Sequence, residues 1–153
     1  MLNAEACLMV SRPTITPEGT ALLDLWLYSS PKEAPAALQW TFQYPPSSIT
    51  SLTVDDGPSL TSAGKTTICA GSAAAYNCLV MGANANTIAN GVIAKLTAIL
   101  PPGASGPTVQ INNLIGVSAE GYFLPIKVSA DCGLHPPSRG RSANEVSGSK
   151  KEE

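Results

Sequence analysis

The chain has 153 residues, 44% of them apolar and only 13% charged, with a formal net charge of −2. That length suits one domain with a sizeable core and crowds two, and a charged share well below the usual ~25% leaves Ser, Thr, Asn, Gln and Gly to finish the surface. Nucleic acid is disfavoured as a partner because the few basic residues are partly spent at Arg139, Arg141, Lys150 and Lys151, and backbone neutralisation needs Lys and Arg clustered on a folded surface.

Membrane insertion is not expected either: apolar stretches such as residues 21–27, interrupted by Asp24, are far shorter than the roughly 20 residues of a spanning helix. Residues 1–10 lack the basic start and long apolar centre of a secretory signal, as expected of a mature or excised module.

Residues 20–29 alternate with period two, placing Ala21, Leu23, Leu25 and Leu27 on one face and Asp24, Trp26 and Tyr28 on the other. The aliphatic face belongs in a core, which turns two aromatics outward beside a carboxylate. Prolines between 31 and 35 break this strand. Residues 37–44 alternate again, with Leu38, Trp40, Phe42 and Tyr44 inward and Ala37, Gln39, Thr41 and Gln43 outward, until Pro45 and Pro46 stop them.

A short strand over 49–54 is followed by Asp55-Asp56-Gly57-Pro58, a strong turn signal. Residues 65–69 and 77–81 form a hairpin around an alanine-rich loop. Asn84, Asn86 and Asn90 mark a further loop. In 92–100, Val92, Ala94, Leu96, Ala98 and Leu100 share one side and Ile93, Lys95, Thr97 and Ile99 the other. The Ala and Leu content also suits a helix, but Pro101-Pro102-Gly103 and the outward Thr97 and Ile99 favour a strand. Residues 108–114 and 122–129 supply two more strands.

Short strands separated by Gly, Pro and Asn turns describe an all-β, two-sheet sandwich of jelly-roll or immunoglobulin-like type with about nine strands. The expected core includes Leu23, Leu25, Leu27, Leu38, Trp40, Phe42, Val92 and Leu96. The module spans 1–136; residues 137–153, rich in Ser, Gly, Arg, Lys and Glu, read as a flexible tail, a linker or an added remnant.

Four cysteines allow three complete pairings. The turn-forming segment between Cys69 and Cys78 can bring these two into cross-strand range, and closing so short a loop is worth about 2–3 kcal/mol. Cys7 and Cys132 remain as the second pair, since chain ends often meet in a domain. Disulfides require an oxidising compartment; free buried cysteines in a cytosolic protein are the competing reading.

The strand Leu38-Gln-Trp-Thr-Phe-Gln-Tyr-Pro45, then Ala63-Gly64-Lys65, Cys69, Cys78, Gly91-Val-Ile-Ala-Lys-Leu-Thr97 and the small-residue stretch Ile115-Gly-Val-Ser-Ala-Glu-Gly121 resemble, in this order, cohesin-like modules of bacterial exported proteins. The resemblance covers roughly residues 8–130. It implies a nine-stranded jelly-roll sandwich of the cohesin and carbohydrate-binding superfamily, secreted or at the cell surface, that binds a protein or a polysaccharide. The chain departs from the family at its close, where Lys127-Val-Ser-Ala-Asp-Cys-Gly-Leu134 replaces a Gly-Thr-Val-Thr-Val-like strand. No family residue set for dockerin contact matches these positions.

No catalytic constellation is expected. His135, the only histidine, precedes two prolines near the chain end, a poor place for a general base. Cys132-x-x-His135 with Cys69 and Cys78 does not match zinc-knuckle spacing. Asp55 and Asp56 read as a solvated turn rather than a calcium site or half of a carboxylate pair. No phosphate loop or dinucleotide fingerprint occurs, and no cofactor or metal is expected.

Surface recognition remains. The candidate face comprises Trp26, Tyr28, Gln39, Thr41 and Gln43, and the expected function is a non-catalytic extracellular protein-binding or assembly module. A carbohydrate-binding module and a structural spacer are the alternatives. A planar row of exposed aromatics would favour sugar, and a flat face of Leu, Ile, Thr and Gln a protein partner.

Overall fold

The computed structural model describes residues 6–72, 74–104, 106–129 and 132. The expected module boundary near residue 136 lies outside them. Among the described residues eleven strands form: β1 (Ala6–Val10), β2 (Thr14–Ile15), β3 (Thr20–Tyr28), β4 (Ala37–Gln43), β5 (Ser51–Asp56), β6 (Thr66–Ser72), β7 (Ala75–Met81), β8 (Gly91–Ile99), β9 (Gln110–Val117), β10 (Phe123–Leu124) and β11 (Ile126–Val128). The count exceeds the expected nine because the eight strand segments read from sequence include neither β1 nor β2, and the strand expected over 122–129 divides into β10 and β11 on either side of Pro125. One short helix, α1 (Pro58–Ser62), follows β5.

One sheet runs β11-β1-β3-β8-β5, with β2 also on β3; the other runs β10-β9-β4-β7-β6. The two pack face to face as an all-β sandwich. Leu8, Leu23, Leu25, Leu27 and Leu96 from the first sheet meet Leu38, Trp40, Phe42 and Val80 from the second, all buried. Trp40 and Phe42, two apart on β4 and so on one side, stand edge to face with centroids 5.7 Å apart. Ile49, Leu60 and Ile88 close the core from the connections.

The sequence reading needs two corrections. The register between β3 and β8 shifts at Leu25/Trp26, where Leu25 pairs with Ala94 and Trp26 with Val92. The extra residue, Ile93, is fully buried, and Val92 is half-buried beside Trp26. A bulge of this kind reverses the face of every residue on one side of it, so Val92 leaves the expected core and Ile93 enters it.

The second concerns Asp55 and Asp56, which lie inside β5 rather than in a turn. Pro58 opens α1, where its missing N–H costs nothing. Gly57 is required for a close approach: a Cβ there would stand 2.3 Å from the Val92 carbonyl oxygen. The Asp56 carboxylate accepts the Thr67 N–H at 2.8 Å and the Thr66 hydroxyl at 2.9 Å, tying β5 of one sheet to β6 of the other.

Candidate functional site

Trp26 and Tyr28 project from β3, whereas Gln39, Thr41 and Gln43 project from β4. These strands belong to different sheets, and each turns its aliphatic or aromatic partners inward. The five residues therefore lie on opposite outer surfaces of the sandwich and cannot form the single recognition face expected from sequence. Period-two patterning separates inside from outside; it does not say which sheet a strand joins.

On the six-stranded sheet, Trp26 is half-buried between its cross-strand neighbours Met9 and Val92, and Tyr28 pairs with Cys7. Lys95 faces Asp24 on one side and Asp55 on the other, with a Lys95 Nζ to Asp24 Oδ1 contact of 3.7 Å. This surface carries charge across its middle.

The outer surface of the five-stranded sheet is different. Register places Ile115, Gln39, Leu79 and Ile68 side by side across β9, β4, β7 and β6. At strand spacings near 4.8 Å the row spans about 14 Å. Ile68 is 55% exposed, and Leu79 and Ile115 are also exposed. The adjoining positions are Phe123 beside Val117 beside Ala37, and Met81 beside Thr66. Phe123 is 80% exposed. No Asp, Glu, Lys or Arg occupies an outward position of β4, β6, β7 or β9.

Next to the apolar row lies an amide and hydroxyl row. The Thr41 hydroxyl donates to Asn77 Oδ1 at 2.6 Å and accepts from Asn113 Nδ2 at 3.4 Å, and Asn112 Nδ2 donates to Gln43 Oε1. Thr41 is thereby buried despite its outward position, so its hydroxyl is already committed; Gln39 and Gln43 stay exposed. Asn113 sits at the β4/β9 register shift with φ of 54°, a left-handed conformation that Asn tolerates better than most residues.

Sequence reasoning missed Ile68, Leu79, Met81, Ile115 and Phe123. Asn77-Cys-Leu-Val-Met81 is nearly unbroken in apolarity, so alternation gives no side. The Cys69 and Cys78 pairing held the signal: cysteines directly opposite in a hairpin put Ile68 opposite Leu79, one step away.

The structure joins Cys69 to Cys78 and Cys7 to Cys132. The first bond links directly paired residues of β6 and β7; the second ties β1 to the chain beyond β11. His135 lies outside the described residues. Among the described residues no group of three His, Cys, Asp or Glu is placed to hold a metal, and no helix is long and apolar enough to cross a membrane.

Neither a protein-family model nor a curated protein sequence matches the chain. Solved structures do match. The sixth cohesin of scaffoldin B from Acetivibrio cellulolyticus, solved with a Cel5 dockerin mutant, superposes with a TM-score of 0.66 at 15% identity, covering 82% of this chain and 94% of that one. The OlpC cohesin of Clostridium thermocellum, in complex with dockerin Doc435, gives a TM-score of 0.68 at 12% identity, covering 84% and 92%. The chain has a cohesin-like fold. The likeness extends beyond dockerin complexes, since a non-cellulosomal cohesin from the archaeon Archaeoglobus fulgidus matches with a TM-score of 0.64 at 6% identity, over 82% and 86%. At these identities the cohesin-like likeness is one of backbone, and the outer-face side chains of this chain must be argued on their own.

Proposed function

We propose that the chain is a non-catalytic module of an extracellular assembly that docks a protein partner on the outer face of its five-stranded sheet. The observation that carries this reading is the uncharged row Ile115, Gln39, Leu79 and Ile68 on the outer sheet surface. Water is an unfavourable neighbour for so many grouped apolar side chains, and soluble sheets ordinarily interrupt such rows with charge. Apolar centres with amide and hydroxyl neighbours suit a protein interface, whose core is depleted in charge.

The cohesin-like fold supports the same reading, because several of the matching structures hold cohesins in complex with dockerins. A dockerin-like partner is accordingly the first to try. Two disulfides support an oxidising, secreted or cell-surface setting. The polysaccharide reading has less behind it: the exposed aromatics Tyr122 and Phe123 are adjacent in the chain at the margin of the face, and its central row has none, where sugar stacking calls for several in a plane. A spacer has no use for an uncovered apolar row.

Isothermal titration of the module against purified dockerin modules, and affinity capture from the secretome of the source organism, test the proposal. Saturable 1:1 binding that is lost on Leu79→Asp supports it. Partners that bind that variant as tightly as wild type refute the assignment of this face.

A further inference from the structure

Lys65 immediately precedes β6, and only 5% of it is exposed. Its Nζ donates to the Asn84 carbonyl oxygen at 2.8 Å. Among the described residues it makes no other hydrogen bond, and the one ion pair there is the distant Lys95–Asp24 contact. An ammonium group has three N–H donors, so two lack an acceptor from the described residues. A buried cation without a counter-charge is a costly arrangement for a fold to maintain.

The surroundings hold the lysine in place. A Cβ on Gly82 would stand 2.9 Å from Lys65 Cδ, so the glycine clears the path of the side chain. Asn84 Nδ2 and Asn86 Nδ2 both donate to the Ala63 carbonyl oxygen, at 3.2 and 3.0 Å, fixing the loop whose Asn84 carbonyl receives the ammonium. Lys65, Ala37, Met81, Asn84, Ser118 and Gly121 are among the residues lining a recess of about 260 Å³. That is room for several waters at ~30 Å³ each, or for a carboxylate on a short stem.

Ser118 Oγ accepts the Tyr122 N–H at 3.0 Å, which leaves its hydroxyl hydrogen available to an anion. Glu120, in the same turn, is exposed and is not part of the recess lining. Ala37 and Met81 belong both to the recess and to the outer face of the five-stranded sheet, so the recess opens at the rim of the proposed docking surface.

We propose that this recess is a carboxylate-binding subsite in which Lys65 receives an aspartate or glutamate side chain of the protein seated on the neighbouring sheet face. The inference rests on the docking reading for the source of the carboxylate. The buried lysine, with one of its three donors committed to the Asn84 carbonyl and no counter-charge among the described residues, carries the chemistry on its own. On an otherwise uncharged face, one charge-assisted hydrogen bond at the rim sets the orientation of the partner.

The test uses the full chain labelled with ¹⁵N and titrated with sodium acetate at constant ionic strength, with acetamide as the neutral isostere and glucuronate as an acidic sugar. Acetate should produce saturable amide shifts at Lys65, Gly82, Asn84 and Ser118, acetamide should not, and Lys65→Met should abolish them. The comparison of acetate with acetamide needs no variant and stands even where Lys65→Met fails to fold. Absence of saturable shifts up to about 100 mM acetate, equal shifts with acetamide, or shifts that persist in a folded Lys65→Met protein would overturn the subsite. Glucuronate binding at least tenfold tighter than acetate would reassign the recess to a sugar and overturn the peptide carboxylate. Acetate reports on the recess alone, so Leu79→Asp should leave this titration unchanged; acetate binding with no docking on the sheet face fails the docking reading separately.

Discussion

Across the outer face of the six-stranded sheet, Asp24, Lys95 and Asp55 lie in one register row, whereas Ile115, Gln39, Leu79 and Ile68 form a register row across the outer face of the five-stranded sheet. The six-stranded sheet fills its inner face with Leu, Ile and Ala, the five-stranded sheet fills its own with Leu, Ile, Val and aromatic side chains, and both alternate strictly enough to fold. They differ in what they show to water. Exposed charge contributes little to stability but discourages contact with other apolar surfaces, and the six-stranded sheet has it where the five-stranded sheet does not. The inner faces thus account for the sandwich; exposed apolar side chains such as Leu22 and Ile99 occur on the six-stranded sheet too, so it is the absence of charge on the five-stranded sheet that supports the docking face proposed above.

The largest separation between the sheets should come from their disulfides. The Cys7–Cys132 bond has a sequence separation of 125 and the Cys69–Cys78 bond one of 9. In the chain-entropy account these loops are worth about 5 and about 3 kcal/mol. Urea unfolding of Cys7→Ser with Cys132→Ser, beside Cys69→Ser with Cys78→Ser, should rank in that order. The reverse order would mean that β6–β7 geometry, not loop length, governs the staples.

Trp26→Ala comes next. The half-buried indole between Met9 and Val92 should cost about 2 kcal/mol in denaturant unfolding, below the ~3–5 expected for a fully buried large aromatic, and should leave partner affinity unchanged. A loss of affinity with no loss of stability would return recognition to the six-stranded sheet.

Leu79→Asp should cost under ~1 kcal/mol of folding, because the side chain is exposed. A cost of several kcal/mol would show Leu79 to be covered in the folded protein. Lys95→Ala should have the smallest effect, within ~0.5 kcal/mol, shrinking further as salt is raised. A larger effect would show that the charged row holds the sheet together rather than merely decorating it.

Much of this fold is legible in the sequence. Residues 20–29 and 37–44 write their inner faces plainly, and the whole-chain rhythm of short strands and Gly or Pro turns points to a sandwich. Sheet membership is not legible, because β3 and β4 alternate alike and only long-range pairing separates them; for that reason Trp26 and Gln39 were expected on one face. Ile93 was misplaced by a bulge that leaves no local mark. Asp56 looked like turn chemistry because its role, holding the Thr66 and Thr67 groups of another strand, is tertiary. The face proposed for docking is hidden in apolar runs such as 77–81, whose outward half becomes visible only once the Cys69–Cys78 register is known.

The most direct test of the central claim uses three immobilised baits, the wild-type chain, Trp26→Ala, and Ile68→Lys with Leu79→Asp, against the secretome of the source organism, followed by calorimetry with whichever protein is retained. The account predicts that wild type and Trp26→Ala retain the same partner with affinities within about twofold, and that the double variant, folded by circular dichroism, loses at least 100-fold, about 2.7 kcal/mol. Retention by the double variant together with loss by Trp26→Ala would contradict it, and would place the working face on the other sheet.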